Sequence, residues 1–221
     1  MHFKPSAGLA LAALTLAATV PFPALAGPAL TPVGGTDILN KQHGYSGGYE
    51  FTTNSAVTVT ALGFYTSVAG QANFVDDHPL ALYTSTGTLL ASSDVNSTNF
   101  SFVDGRFVYS IITPITLTAG GDYVVTGAAG LTDAYLFNSV DTMDPSIDFI
   151  ENRFNLDTYG NQFADQTGGG AANETGYFGG SFYIAPPAVP EASTMVSFSL
   201  LLAFGLGCVV IAAKRTKAVA S

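Results

Sequence analysis

The stretch Val57-Thr58-Val59-Thr60-Ala61-Leu62-Gly63-Phe64-Tyr65 decides the fold class of this 221-residue chain. Val57, Val59 and Ala61 fall on one face of this stretch, and the two threonines fall on the other. A period of two is typical of a half-buried β-strand. No window between residues 27 and 187 repeats its apolar residues every 3.6 positions over a helical length, so we predict an all-β domain.

Further strands are predicted wherever short β-forming runs lie between turn residues. Ser85-Thr86-Gly87 is predicted to be a hairpin turn, and Pro114 predicts an edge position or a β-bulge. The polar stretch 159–176, with its run of three glycines at 168–170, predicts a flexible loop. Many short strands with regular turns indicate an antiparallel β-sandwich, jelly-roll-like in its connections. The runs are 49–53, 80–84, 88–92, 106–112, 115–118, 123–126, 134–138, 149–156 and 177–184.

The amino-terminal 26 residues have the organisation of a secretory signal peptide. Lys4 supplies the positive charge, an apolar stretch follows over 8–20, and Ala24 and Ala26 form the small-x-small pattern that signal peptidase accepts. We expect cleavage after Ala26, which leaves an exported domain over residues 27–187. Its apolar run is short for a bilayer crossing, although an uncleaved anchor helix is the alternative.

The carboxyl-terminal segment predicts a membrane anchor. Residues 195–213 form a 19-residue run without a charge, which would extend about 28 Å as a helix and so match the bilayer core. Lys214, Arg215 and Lys217 follow at once and would act as stop-transfer charges that keep the tail 214–221 in the cytoplasm. Cys208 lies in this run, so the exported domain has no disulfide.

An extended strip precedes the predicted helix. It consists of Val189, Pro190, Glu191, Ala192, Ser193 and Thr194, and Pro190 restricts the backbone around it to extended conformations. The strip, the single helix and the short basic tail together resemble the PEP-CTERM sorting domain of Gram-negative bacteria over residues 188–221. Ala192 stands where that family has its second proline. The resemblance implies processing by an exosortase-type membrane protease, from an inner-membrane-anchored precursor to a cell-surface or extracellular protein; an ordinary membrane anchor is the alternative.

The central segments also have a family likeness. The runs at 61–65, 82–83, 87–92, 107–109, 117–120 and 123–125 resemble a β-sandwich module described as a domain of unknown function. This resemblance covers about residues 48–126. It implies a fold and no activity.

The charge of the exported region limits its partners. Residues 27–187 contain three basic and 15 acidic side chains, which gives a net charge of −12. Such a surface repels nucleic acid and anionic lipid alike, so no nucleic-acid partner is expected. Among so many carboxylates, a pair at a separation suited to glycoside hydrolysis arises by chance and does not indicate an enzyme.

Two motifs contain the residue types of catalytic or metal sites, but simpler explanations fit both of them better. Gly44-Tyr45-Ser46-Gly47-Gly48 matches the nucleophile-elbow pattern, but the elbow needs a strand before the serine and a helix after it. We therefore predict a glycine-rich turn here, with His43 too close to Ser46 in sequence to indicate a catalytic relay. Asp76-Asp77-His78 carries metal-ligand types, and we predict a solvated loop instead.

Asp141, Asp144 and Asp148 form a second acidic cluster without the order of an EF-hand loop. A structural calcium ion in one of these acidic loops stays open as an alternative, and no other cofactor is expected. We expect no catalytic residues and a non-enzymatic cell-surface or extracellular-matrix protein. The alternative is an exopolysaccharide-binding module, which an exposed cluster of Tyr45, Tyr159 and Tyr177 would favour.

Overall fold

The computed structural model describes residues 27–39, 44–156, 159–160, 162–168 and 177–186, which form β-strands and no helix. The predicted all-β class is therefore confirmed for this part of the chain. The strands are β1 Gly27–Pro28, β2 Leu30–Val33, β3 Thr36–Ile38, β4 Tyr45–Thr53, β5 Val57–Tyr65, β6 His78–Thr84, β7 Leu89–Val95, β8 Phe102–Asp104, β9 Phe107–Leu117, β10 Asp122–Ala129, β11 Tyr135–Phe137, β12 Val140–Met143, β13 Ile147–Leu156, β14 Gln166–Gly168, β15 Tyr177–Phe178 and β16 Gly180–Ile184.

The predicted signal peptide, sorting strip, membrane helix and basic tail lie outside the described residues. Within the described ranges, no helix is long and apolar enough to cross a membrane.

The strands assemble into two large and two small antiparallel sheets. The five-stranded sheet has the order β1-β16-β5-β9-β8, and the six-stranded sheet has the order β14-β13-β4-β10-β6-β7. The small sheets are β15-β11-β3 and β12-β2. Strands that are neighbours in sequence mostly lie in different sheets, so the chain passes repeatedly between the two large sheets.

One hydrophobic core lies between the two large sheets. Phe51 of β4 and Phe182 of β16 meet there with ring centroids 4.8 Å apart, and Tyr49 lies 6.4 Å from the same Phe182 ring. All three side chains are fully buried. Burying several aromatic side chains in one layer is a large source of stability, at roughly 1.5–3 kcal/mol for each large apolar side chain.

Strand β5 shows how far alternation describes the burial. Val57 and Val59 are buried while Thr58 and Thr60 are partly exposed, as predicted. From Ala61 onward every residue of β5 is buried, because the outer face of this sheet is also covered. Tyr109 lies directly over Gly63, where an added Cβ would stand 2.5 Å from the Tyr109 ring.

The predicted hairpin turn and the predicted β-bulge are confirmed. Residues 85–87 connect β6 to β7, and the backbone N–H of Thr84 donates to Thr88 O at 2.9 Å. Pro114 lies at a β-bulge, where the pairing of β5 with β9 shifts between Val59 and Ala61. The bulge joins the two predicted strands 106–112 and 115–118 into one strand, β9.

Two loop predictions are wrong. Residues 45–48 are not a turn but the first half of β4, which pairs with β10 on one side and β13 on the other. Gln166–Gly168, predicted as loop, forms β14 and pairs with Asn152–Phe154 of β13. In both places pairing with another strand holds glycine and polar residues in an extended conformation.

Residues 159–160 and 162–165, the cover segment, precede β14 and lie over the outer face of the six-stranded sheet. Phe163 packs against Ala81, Tyr83 and Val124, with its ring 5.5 Å from the Tyr83 ring. The Asn155 side chain holds the segment, because its Nδ2 donates to Phe163 O at 2.7 Å. The packing of Phe163 explains why Ala81, Tyr83 and Val124 are buried although they lie on the outer face of the sheet.

Candidate functional site

Ser46 lies in the interior of β4 and is fully buried. Its hydroxyl donates to Gly160 O of the cover segment at 3.4 Å. An elbow serine must sit at a sharp exposed turn between a strand and a helix, whereas Ser46 has strand on both sides. His43 lies outside the described residues. The position of Ser46 therefore fits a packing role beneath the cover segment.

His78 begins β6 and is fully buried, so the prediction of a solvated loop is wrong for this residue. Its ring stacks parallel to Phe64 with centroids 3.8 Å apart, and Phe74 meets it edge-on at 4.5 Å. Two apolar rings thus fix the plane of the imidazole. Its two nitrogens point in defined directions as a result.

Both imidazole nitrogens of His78 face oxygen acceptors. Nδ1 lies 2.9 Å from Ala128 O, and Nε2 lies 3.1 Å from Asp133 Oδ2. A neutral imidazole can donate to one of these acceptors, whereas an imidazolium donates to both. The arrangement links β6, β10 and the loop after β10.

Asp76 and Asp133 form a reciprocal clasp between two loops, named here the carboxylate clasp. Asp133 Oδ2 accepts from the backbone N–H of Val75 and of Asp76, each at 2.7 Å. In return, Asp76 Oδ2 accepts from the N–H of Thr132 at 2.8 Å. Gly130 permits this approach, since a Cβ there would lie 2.2 Å from Asp76 Oδ2.

The electrostatics of Asp133 follow from these contacts. Burial by itself would raise the pKa of Asp133, but the hydrogen bonds donated by His78 and by the backbone N–H groups of Asp76 and Val75 outweigh it. The pKa of Asp133 therefore lies below its usual value. A carboxylate held in this way stabilises loop structure and is poorly suited to accept a proton from a substrate.

The second acidic cluster does not converge on one point. Asp141 is buried in β12, where Oδ1 accepts from Ser139 Oγ at 2.7 Å, and burial raises its pKa to about 6. Asp144 accepts from both the N–H and the hydroxyl of Ser146 in the turn before β13. Asp148 is exposed in β13. Among the described side chains, no group of three or more His, Cys, Asp or Glu could hold a metal ion.

The three tyrosines considered for sugar stacking differ in burial. Tyr45 is 1% exposed and stacks on Tyr135 with centroids 4.9 Å apart, so it belongs to the core. Tyr159 is 48% exposed, and its hydroxyl donates to the backbone oxygen of Asp77. The Tyr177 side chain lies outside what the structure describes. An exposed surface that includes Tyr45 is thereby contradicted.

A family model described as a domain of unknown function, DUF4082, matches residues 33–183. The chain belongs to the DUF4082 family. The match extends on both sides of residues 48–126, the stretch that resembled such a module, and it takes in β3 to β15 and most of β16. No curated protein matches this chain.

The two hydrogen-bond partners of His78 in the DUF4082 domain could not be recognised from the sequence. Asp133 lies 55 residues after His78 in the chain, and Ala128 offers only a backbone oxygen. No short motif connects residues so far apart. Only the pairing of β10 with β6 brings them together.

The charged surface of the DUF4082 domain is strongly biased. Arg153 donates to Glu50 from Nε at 2.8 Å and also lies 3.2 Å from Glu151 Oε1. Arg106 lies 3.4 Å from Asp37 Oδ1. Both arginines of the described region are thus paired with carboxylates, and several exposed aspartates have no cationic neighbour there.

Proposed function

We propose that this protein is an exported, non-enzymatic component of the cell surface or extracellular matrix. Its central domain serves as a stable acidic module. Its ends direct it through the secretory route and into an exosortase-type sorting system.

The use of polar groups in the domain carries this proposal. Ser46, His78, Asp76 and Asp133 are the residue types from which a catalytic site is made, and each holds a backbone group of another segment. The two arginines of the described residues, Arg106 and Arg153, are paired, so the exposed charge there is mostly carboxylate. A domain with rigid internal polar contacts and a net negative surface stays soluble outside the cell.

The addressing part of the proposal rests on the two ends of the sequence. Ala24 and Ala26 mark the signal cleavage site, and residues 189–194 form the sorting strip before an uncharged run of 19 residues. Lys214, Arg215 and Lys217 would stop translocation. The domain would then be released or attached outside after processing near Glu191.

Intact mass of the exported protein tests this proposal in a host that carries an exosortase-type protease. The expected mature form begins near Gly27 and ends near Glu191. Glu191→Ala in the sorting strip should leave signal cleavage intact and cause the membrane-bound precursor to accumulate. Ser221→Ala, at the last residue, is the matched control and should be processed like the wild type.

Two results would contradict the proposal. One is a chain that keeps residues 1–26 and stays in the cytosol. The other is a secreted form whose mass includes Lys214, because sorting would then proceed without removal of the tail.

A further inference from the structure

One end of the two-sheet core displays apolar side chains on loops that are otherwise polar. Val75 is 75% exposed, Leu131 is 50% exposed and Tyr159 is 48% exposed. Val75 and Leu131 belong to the two loops joined by the carboxylate clasp, and the Tyr159 hydroxyl is bonded to the backbone of Asp77 in the first of them. These three residues, with Asp77 and Asn96, are named here the loop tip.

Hydrogen bonds hold the loop tip together before any ligand arrives. The clasp fixes the backbone beneath Val75 and Leu131 through Asp76 and Asp133. The Tyr159 hydroxyl donates to the backbone oxygen of Asp77, which fixes the position of the outer end of the ring. Holding binding groups in place beforehand removes an entropic penalty from association.

The polar groups beside Tyr159 suit hydroxyl-rich ligands. Asp77 is exposed, and its Oδ1 accepts from Asn96 Nδ2 at 2.7 Å. Asn96 is held in turn, because its Oδ1 accepts from the N–H of Thr98 and of Asn99. In the described part of the chain Asp77 Oδ2 accepts no hydrogen bond and remains open to a hydroxyl donor. An exposed aromatic ring tethered next to a held carboxylate matches the apolar face and hydroxyl rim of a pyranose ring.

We infer that the loop tip binds a neutral polysaccharide through stacking on Tyr159 and hydroxyl donation to Asp77. This inference deepens the proposed function, since it names the matrix component that the exported module contacts. The site differs from the surface considered at the sequence level, because Tyr45 lies in the core and has no part in it.

Charge and size favour a neutral sugar polymer over other partners. The exported region has 15 acidic and three basic residues, which disfavours anionic polymers and anionic lipid surfaces. A stable protein interface takes roughly 20–30 residues on each side. A narrow tip with three exposed apolar residues is far smaller, and one or two sugar rings would cover it.

Affinity electrophoresis tests the inference. The full chain is run in detergent through gels that contain a neutral glucan, a neutral mannan or an anionic uronate polymer. We expect retardation by at least one neutral polymer and none by the uronate. Tyr159→Ala should weaken the binding roughly tenfold, and Asp77→Ala should weaken it several-fold. Tyr159→Phe keeps the ring and should bind more tightly than Tyr159→Ala. Ile111→Ala removes an exposed apolar side chain from β9, away from the loop tip, and is the control.

The outcomes separate this inference from the proposed function. If no neutral polymer retards the wild type, if only the uronate does, or if Tyr159→Ala and Asp77→Ala both bind like the wild type, the inference is overturned. Thermal unfolding of each variant shows whether a loss of binding comes from misfolding. Asp77→Ala changes an exposed side chain, so this variant should fold even if Tyr159→Ala does not. Export and processing are measured separately by mass, so either idea can fail while the other stands.

Discussion

Replacing Asp133 by asparagine tests whether the carboxylate clasp stabilises the fold. The wild-type carboxylate accepts from Val75 and Asp76 at 2.7 Å and from His78 at 3.1 Å. A hydrogen bond to a charged group contributes about 1 kcal/mol more than a neutral one. Three such bonds therefore predict a loss of roughly 3 kcal/mol in the free energy of unfolding, which lowers Tm by about 6–12 °C for a domain of this size.

The same substitution predicts a definite pH dependence. Because the folded-state pKa of Asp133 is lowered, its stabilisation is fully present above the unfolded value of about 3.9 and is lost as pH falls through the folded value. The difference in Tm between the wild type and Asp133→Asn should be constant from about pH 7 to 5 and should shrink below about pH 4.

Differential scanning fluorimetry over this pH series measures both effects. Asp148→Asn removes the same charge from an exposed position in β13 and is the matched control, with an expected change within about 0.5 kcal/mol. Equal Tm values for Asp133→Asn and the wild type near neutral pH would refute the stabilising role. A difference that stayed the same down to acid unfolding would refute the electrostatic explanation.

Three further predictions concern other parts of the fold. Arg153→Met leaves Glu50 largely buried beside Glu151 without its cation, so the free energy of unfolding measured in urea should fall by about 3 kcal/mol. Adding Glu50→Gln should recover most of that loss, and no recovery would show that the ion pair is not the cause. Because burial raises the pKa of Asp141 to about 6, stability should fall as pH rises from about 4 to 6, so Asp141→Asn should raise Tm at about pH 8 more than at about pH 4; an equal shift at both pH values would contradict this. Phe182→Ala opens the core between the two sheets and should cost about 3–5 kcal/mol in calorimetry, and a change below about 1 kcal/mol would place that ring outside the common core.

Strand and turn predictions succeeded where the signal came from neighbouring residues and failed where long-range strand pairing decided the structure. The alternation of Val57 and Val59 with two threonines predicted β5, and the residues at 85–87 predicted the hairpin. Both signals act between neighbours in sequence. Residues 45–48 carry turn composition, yet they are strand, because β10 and β13 supply hydrogen bonds from both sides. Local propensity is a weak guide where long-range pairing supplies the backbone partners.

The sequence by itself determined the strand period, the hairpin turn at 85–87, the acidic balance and the absence of cysteine from residues 27–187, since these depend on residue type and spacing alone. Only the tertiary structure decided which polar groups are buried. His78 stands in an acidic tripeptide that suggested solvent, but β10 and Phe64 enclose it and Asp133 meets it from a separate loop. Tyr45 and Tyr159 are the same residue type, and one is buried while the other is exposed. Burial is a property of the packed whole, because it depends on which distant segments cover a given face.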